Sequence, residues 1–201
     1  MKHFQPVQRP NEDFYEPSFK IPLNEHEIIP AHVRLIEQLD VINSSSLGLY
    51  NLQKAKYEYL SPVVNLFKNL KIEQGYCNPN TFYELLHPDD RELITKNQTR
   101  FLNFLYNQPI DQRKKYKLCE DFRMKDTKDV YIRLLSQLQV LELDLAGNIW
   151  LTIDTVDLSP DIDIYRPSNS ILINRETRER MNFSDQNNVK ISKREKEILN
   201  M

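Results

Sequence analysis

The feature that most constrains how this chain can fold is a set of three period-two segments between residues 115 and 159. "KYKLCEDFRMK", "DVYIRLLSQLQVLELD" and "NIWLTIDTVDLS" are rich in β-favouring residues and alternate in twos over much of their length. The intervening "DTKD" and "LAGN" supply the Asp, Asn and Gly that tight turns require. Three consecutive antiparallel strands are therefore expected. In the middle one, Val130, Ile132, Leu134, Leu138 and Val140 point to one face, and Tyr131, Arg133, Leu135, Gln137, Gln139 and Leu141 to the other. A mixed second face asks for partial cover, which the 31–43 segment or a second subunit would supply.

Upstream, "GLYNLQKAKYEYLSP" reads as a hairpin of Leu49 to Leu52 and Lys56 to Leu60. Helix signals follow. "SPVVNLFKNL" places Ser61 as a cap and Pro62 at the first helical position, and "TFYELL" carries a capping box in Thr81 and Glu84. "HPDDRELITKNQTRFLNFLYNQ" opens on a turn in which Asp89 or Asp90 caps a longer helix bearing Leu93, Ile94, Phe101, Phe104 and Leu105, with Asn97 and Gln98 interrupting the apolar stripe. Ahead of the core, Pro6, Pro10, Pro17, Pro22 and Pro30 argue against continuous helix over residues 1–30 and favour an extended arm. Residues 31–43 then put Leu35, Ile36, Leu39 and Ile42 on one side of a short helix. After residue 159 the tail holds a candidate second hairpin, "SILINRETRERMNF" with "RETRER" at its turn, and a polar linker, "SDQNNVK".

A chain of 201 residues suffices for one full core with extensions. Its net charge of −2 gives no global field for nucleic acid or acidic membranes. Cys77 and Cys119 stand far apart, with no CxxC and no His at metal-ligand spacing, and read as buried or idle thiols of a reducing compartment. The N-terminus has no apolar signal-peptide core, and no apolar run approaches the ~18 residues of a membrane span. A cytoplasmic protein without membrane contact is expected. The three glycines, Gly48, Gly75 and Gly147, stand singly, which removes Gly-rich phosphate loops and dinucleotide fingerprints.

Two strands, several helices and three strands follow the order of the PAS sensory fold, and the segments themselves resemble that family. "KYEYLSP" resembles its second strand and the turn beyond it, and "FYELLHPDDRELI" resembles its "hPDD" segment. "EDFRMKDTKDVYIRLLSQ" is similar to its "yRl…kdG.y…v" strand pair, and "LELDLAGNIWLTIDTVDLS" to its "D..G………DIT" ending. The chain departs from the pattern at Asp126-Thr127-Lys128, where the family usually has Asp-Gly. The resemblance implies an α+β fold over residues 47–159: a PAS-like five-stranded antiparallel sheet with helices on one face, here with an N-terminal arm and flanking helix (1–46) and a C-terminal hairpin and linker (160–190).

The chain ends on "NNVKISKREKEILNM". Ser192 and Glu195 form a capping box, and Ile198 and Leu199 open an apolar stripe, yet a helix so short is marginal alone. "ISKREKEILNM", residues 191–201, resembles the opening of the helix-turn-helix of LuxR-type transcription regulators, close to "LTxREKEIL". Arg194, Glu195, Glu197 and Leu199 stand where that pattern has them, and Ser192 replaces the usual Thr. The resemblance implies that the natural protein continues past residue 201 into a DNA-binding domain, whose recognition helix, the part that enters the major groove, is absent here. DNA would be reached only through that missing part. A homodimer is implied as well.

A PAS domain can hold a ligand between its sheet and its long helix. Tyr50, Tyr59, Phe67, Phe82, Phe101, Phe104, Phe122 and Trp150 are candidates to line such a pocket, or else simply to fill the core. "GYCNPNTFYELL" around Cys77 lacks the reactive-cysteine helix of photoactive flavin domains. His87 lies in a turn, where it reads as a residue bonding to backbone rather than a haem ligand, and His3, His26 and His32 lie outside the core. No cofactor is named by these residues, and no metal site. The pair Asp89 and Asp90 reads as helix capping, and the basic "RKKYKLCEDFRMK" as a solvated strand edge. No acid/base pair is visible in the sequence, so no catalysis is expected. The expected function is a sensory and dimerisation domain of a LuxR-type regulator. Alternatives are a PAS input module of a kinase or cyclic-nucleotide synthase, marked by a helical coiled-coil linker after residue 159, and a small α+β cone-like enzyme, marked by a convergent acid/base pair.

Overall fold

The computed structural model of the chain describes residues 17–42, 45–61, 72–73, 76–77 and 79–183. A first helix, α1 (Glu25–Ile42), precedes the hairpin β1 (Ser46–Asn51) and β2 (Lys56–Leu60). Two short strands, β3 (Ile72–Glu73) and β4 (Tyr76–Cys77), pair only with each other. Helices α2 (Pro79–Leu85) and α3 (Pro88–Tyr106) and a 3-10 turn (Ile110–Lys115) lead into β5 (Tyr116–Lys125), β6 (Tyr131–Leu143) and β7 (Ile149–Leu158). A last hairpin, β8 (Asn169–Asn174) and β9 (Arg180–Asn182), closes the described chain. The helix expected after Ser61, over residues 62–70, the side chains of Cys77 and Thr81, and the capping box at Ser192 and Glu195 lie outside the described residues, while the buried Ser61 hydroxyl accepts from the Leu47 N–H at 2.8 Å and donates to Asp40.

The fold is α+β. One antiparallel sheet runs in the order β2-β1-β7-β6-β5-β8-β9. Its first five strands are the PAS-like sheet expected from the sequence, and it has seven strands rather than five because the tail hairpin does not stand apart. "SILIN" alternates, and the edge of β5 offers unpaired N–H and C=O groups. Residues 116–121 therefore pair with Asn169 to Asn174.

Helices α2 and α3 cover one face. Phe101 and Leu105 of α3 pack on Leu118, Val140, Ile149 and Leu172, and Ile94 packs with Phe122, Met124 and Leu134. Period-two strands meet a period-3.6 helix here, each through its own apolar set. The opposite face carries α1, where Ile36 is buried with Leu47, Leu49, Trp150 and Leu151, and Ile28, Ile29, Val33 and Leu141 pack around them. The mixed face of β6 is thus covered by the N-terminal helix over its Leu141 end. Over its Arg133 end lies the β7–β8 connection, whose Asp163 and Arg166 carbonyls accept from the buried guanidinium.

Two local expectations are corrected, and the expected turns are explained. First, α1 begins at Glu25 and runs through Pro30. Pro30 forfeits one helical N–H bond, and the helix tolerates the loss because Ile28, Ile29 and Val33 on either side bury against the sheet. Its buried face is consequently not the anticipated one: Leu35 (53% exposed) and Ile42 (82% exposed) point outward and Ile36 alone of the four is buried. Second, α3 is capped by His87, whose Nδ1 accepts from the Asp89 N–H at 3.3 Å. Asp90 is released for another task, pairing with Arg123. The "DTKD" turn dispenses with glycine because Asp126 Oδ1 accepts from the N–H groups of Lys128 (2.8 Å) and Val130 (3.0 Å), while Asp129 takes the left-handed conformation at φ 62°. In the "LAGN" turn Gly147 does that work at φ +85°, with Ile110 packed so close that a Cβ would meet it at 2.7 Å.

Asp90 is 1% exposed and receives Arg123 through its backbone N–H (2.8 Å), Nε (3.0 Å) and Nη2 (2.5 Å). The pairing takes over the edge of β5 just where β8 stops: His87 N–H donates to the Arg123 carbonyl at 2.9 Å, and Leu86 bridges to Met124. The facing guanidinium holds the Asp90 carboxyl below its ordinary range against the opposing cost of burial. Removing one partner of such a pair strands the other charge in the interior. Asp90→Ala should therefore cost about 3–5 kcal/mol in urea unfolding, whereas Asp89→Ala, on an exposed side chain, should stay within about 0.5 kcal/mol.

Candidate functional site

Strand register brings together groups that are far apart in the chain. Ser46 on β1 faces Val156 on β7, Val156 faces Ser136 on β6, Ser136 faces Glu120 on β5, and Glu120 faces Ser170 on β8. Directly paired residues share a face, so these five form one row across the helix-covered side of the sheet. Asp154 stands on the same face, two residues from Val156, opposite Gly48 and Leu138. An otherwise apolar layer thus contains a polar stripe with two carboxylates.

Above the stripe is a cavity of about 90 Å³. Ser46, Glu120, Ser136 and Asp154 form its floor. Phe122, Met124, Leu134 and Val156 extend the floor along the sheet, while Ile94 and Gln98 of α3, Phe82 of α2, and Tyr57 and Leu60 of β2 make the walls. Gly48 permits this arrangement. A Cβ there would lie 3.0 Å from the Tyr57 ring and 3.2 Å from Leu60, the two residues that lean over it.

Both carboxylates are out of the ordinary. Glu120 is 2% exposed, and burial, opposed by contacts from Asn97 and Ser170 and reinforced by the nearby charge of Asp154, pushes its pKa up to about 8. Burial also pushes Asp154 up to about 6, against a 2.8 Å hydrogen bond donated by Ser136. Asp154 is half-buried and lines the cavity. As a coupled pair at neutral pH, the two carboxyls hold about one proton and one negative charge. Among the described lining residues none is basic.

From Glu120 a chain of contacts leads away from the cavity. Ser170 Oγ donates to Glu120 Oε1 at 3.3 Å, and Asn97 Nδ2 donates to Ser170 Oγ at 2.7 Å. Arg100 Nη1 donates to Asn97 Oδ1 at 3.1 Å and to the Phe183 carbonyl at 2.8 Å. Asn97, fully buried, interrupts the apolar stripe of α3 because it faces this polar row.

The aromatic candidates divide. Phe82 and Phe122 line the cavity. Phe101 is core between α3 and the sheet, and Phe104 packs edge-on to Tyr116. Tyr50 stands edge-on to Tyr57, centroids 5.0 Å apart. Tyr59 and Trp150 belong to the α1 side: Tyr59 donates to Asp40 at 2.8 Å, and its pKa is pushed up to about 12 by burial and by that carboxylate. Trp150 is fully buried there, and its Nε1–H finds no acceptor among the described residues. Phe67 lies outside the described residues. His87 caps α3, as its turn position suggested. Glu120, Asp154, Ser136 and Ser46 were missed from sequence, where nothing polar visibly converges; they converge only once the register is known. Their one sequence signal is a polar residue on the side of a strand whose other members are apolar, as Ser136 is between Leu134 and Leu138.

No family model matches the chain, and no curated protein does. Solved structures that are similar in part include the PAS domain of a protein from Colwellia psychrerythraea, 13% identical over 64% of this chain and 97% of that one, with a TM-score of 0.44. The N-terminal domain of a diguanylate cyclase with PAS/PAC sensor from Marinobacter aquaeolei is 20% identical over 57% of this chain and 94% of its own, TM-score 0.39. VqmA of Vibrio cholerae, a dimer described among LuxR-type receptors, is 11% identical over 62% of this chain and 52% of its own, TM-score 0.38.

The raised carboxyls make stability depend on pH in a fixed sense. Glu120 is proton-bearing in the folded state up to about pH 8 but ionises near 4.5 when unfolded. Between those values the folded state holds the extra proton, so stability falls as pH rises, at a limiting slope of about 1.4 kcal/mol per pH unit. Asp154 adds the same sign between 3.8 and about 6. Urea unfolding from pH 4 to pH 9 should show Glu120→Gln gaining on the unsubstituted chain progressively up to pH 8. Parallel curves would remove the buried-acid account.

Proposed function

We propose that this chain is a PAS-type sensory and dimerisation domain that binds a small molecule in the cavity between the sheet and α3 and passes the event to a LuxR-type DNA-binding domain. The carrying observation is the polar row of Ser46, Ser136, Glu120 and Ser170, with Asp154, laid under a cavity in a face otherwise built for apolar packing. Buried acids without cationic partners among the described lining cost stability, and their place on a cavity floor supports a binding site.

The route onward is physical. Ligand contact with Glu120 acts on Ser170 and Asn97, and through Arg100 on the Phe183 carbonyl, the last described residue before the segment that resembles a LuxR-type helix-turn-helix. The β8–β9 hairpin after residue 159 favours this reading over an input module joined by a helical coiled coil. The exposed Leu35, Leu39 and Ile42 at spacings of four and three on α1 support the homodimer. The reading places the protein in the cytoplasm and assigns it no catalysis.

One observation favours a second reading. Glu120 and Asp154 titrate apart in a shared cavity, an arrangement that also serves acid/base chemistry in a small enzyme. Native mass spectrometry of protein purified from its host separates the two. The sensor reading expects a dimer that retains an unaltered small molecule. A monomer, or a dimer that converts the recovered molecule on incubation, sinks it.

A further inference from the structure

Resting on the reading of this cavity as a ligand site, the observations also specify what the ligand carries. An ionised carboxylate only accepts hydrogen bonds and a protonated one keeps acceptor capacity beside its single O–H, and Ser136 already gives its hydrogen to Asp154. Among the described residues facing the cavity there is no Lys, Arg or His to balance the charge. The nearest guanidinium along α3, that of Arg100, is engaged by Asn97 and the Phe183 carbonyl. Asn97 and Ser170 supply Glu120 with neutral contacts only. The described lining therefore presents acceptor capacity with no cation beside it on one side and carbon on the other.

A hydrated metal ion suits this poorly. Among the described residues no group of three or more metal-ligating side chains occurs, and a hard cation demands six or more oxygens. Tyr57, Phe82 and Phe122 instead offer aromatic carbon, which favours an organic cation both by apolar contact and by the attraction of ring faces for positive charge. The volume of about 90 Å³ falls below the roughly 150 Å³ of a cavity that holds benzene, so the charged group is compact.

We propose that the cavity takes a small organic cation of the amine or amidine class, its N–H groups donating to Glu120 and Asp154 and its carbon against the aromatic wall. The ligand supplies the positive charge that the described lining lacks. A donor-rich head also explains why two acids and a row of serines share one floor.

Acetamidinium, acetamide and acetate have the same shape with charges of about +1, 0 and −1, and test the proposal directly. Each is titrated at constant ionic strength into the ¹⁵N-labelled 201-residue chain while amide shifts of Gln98, Ser136 and Asp154 are followed. Acetamidinium should perturb them saturably, at least tenfold more tightly than acetamide, with acetate weakest. Glu120→Gln and Asp154→Asn should each lower acetamidinium affinity severalfold and by a larger factor than they lower acetamide affinity, with dispersed amide spectra showing that both variants are folded. Equal or tighter acetamide binding overturns the cationic assignment and leaves the ligand-site reading standing. Silence of the cavity amides to all three probes overturns both.

Discussion

The Asp90–Arg123 pair fixes the relation between the two layers. It ties the first turn of α3 to the far end of β5, and the same guanidinium donates to the Ile164 carbonyl at 2.9 Å, holding the β7–β8 connection. Arg133 takes the neighbouring carbonyl of Asp163 at 3.0 Å, and Arg166 closes the loop onto Asp121 at 2.5 Å. With the start of α3 pinned, helical geometry places the later turns: Asn97 lies seven residues on, two turns, and therefore on the same sheet-facing side as Asp90. Asn97 reaches Ser170 because Asp90 is where it is. The carboxylate at the helix start, in a motif that reads as simple capping, is thus what aligns the polar row with the helix above it.

That alignment has a thermodynamic meaning. The face beneath α3 could have been completed with leucine and valine, as it is around Phe101 and Leu118. Replacing buried ionisable groups with apolar ones of similar volume is generally neutral or stabilising. The sheet here retains Glu120 and Asp154 with partners too weak to hold them at ordinary pKa values. The apolar cluster around Phe101 buries α3 without any cavity residue, while the cluster around Ile94 packs the helix and lines the cavity at once.

Much of this could be read in the sequence, and the parts that could not share a cause. Period-two alternation placed β5, β6 and β7, and turn chemistry placed their connections, because both depend on near neighbours. The hairpin in the tail was visible in "SILIN" and "RETRER" for the same reason. What escaped depends on residues far apart. Pro30 looked like a helix stop because its local cost is evident while the burial of Ile28, Ile29 and Val33 is not. Asp90 looked like a cap because its partner lies 33 residues away. Glu120 and Asp154 were invisible as a pair because only the intervening strand, through Ser136, places them on one face. Of the aromatic set, Phe82 and Phe122 reach the cavity while Tyr59 and Trp150 sit on the opposite face, a distinction that parity within a strand leaves undecided until the covering helices are assigned.

A sensor requires more than a place to bind. The ligand must contact two conformations unequally, since equal affinity shifts no equilibrium. On the proposed reading, the chain Glu120, Ser170, Asn97, Arg100, Phe183 carbonyl is where such an inequality would arise, since it links the cavity floor to the end of β9 through hydrogen bonds. A donor reaching Glu120 in that reading would compete with Ser170, and any shift of Ser170 would bear on Asn97 and, through Asn97, on Arg100. The β8–β9 pair stands at the sheet edge, with β9 exposed throughout while Ser170 and Leu172 of β8 are buried. On that reading, binding at the centre of the sheet would be felt at the edge formed by β8 and β9, beside Phe183, the last described residue.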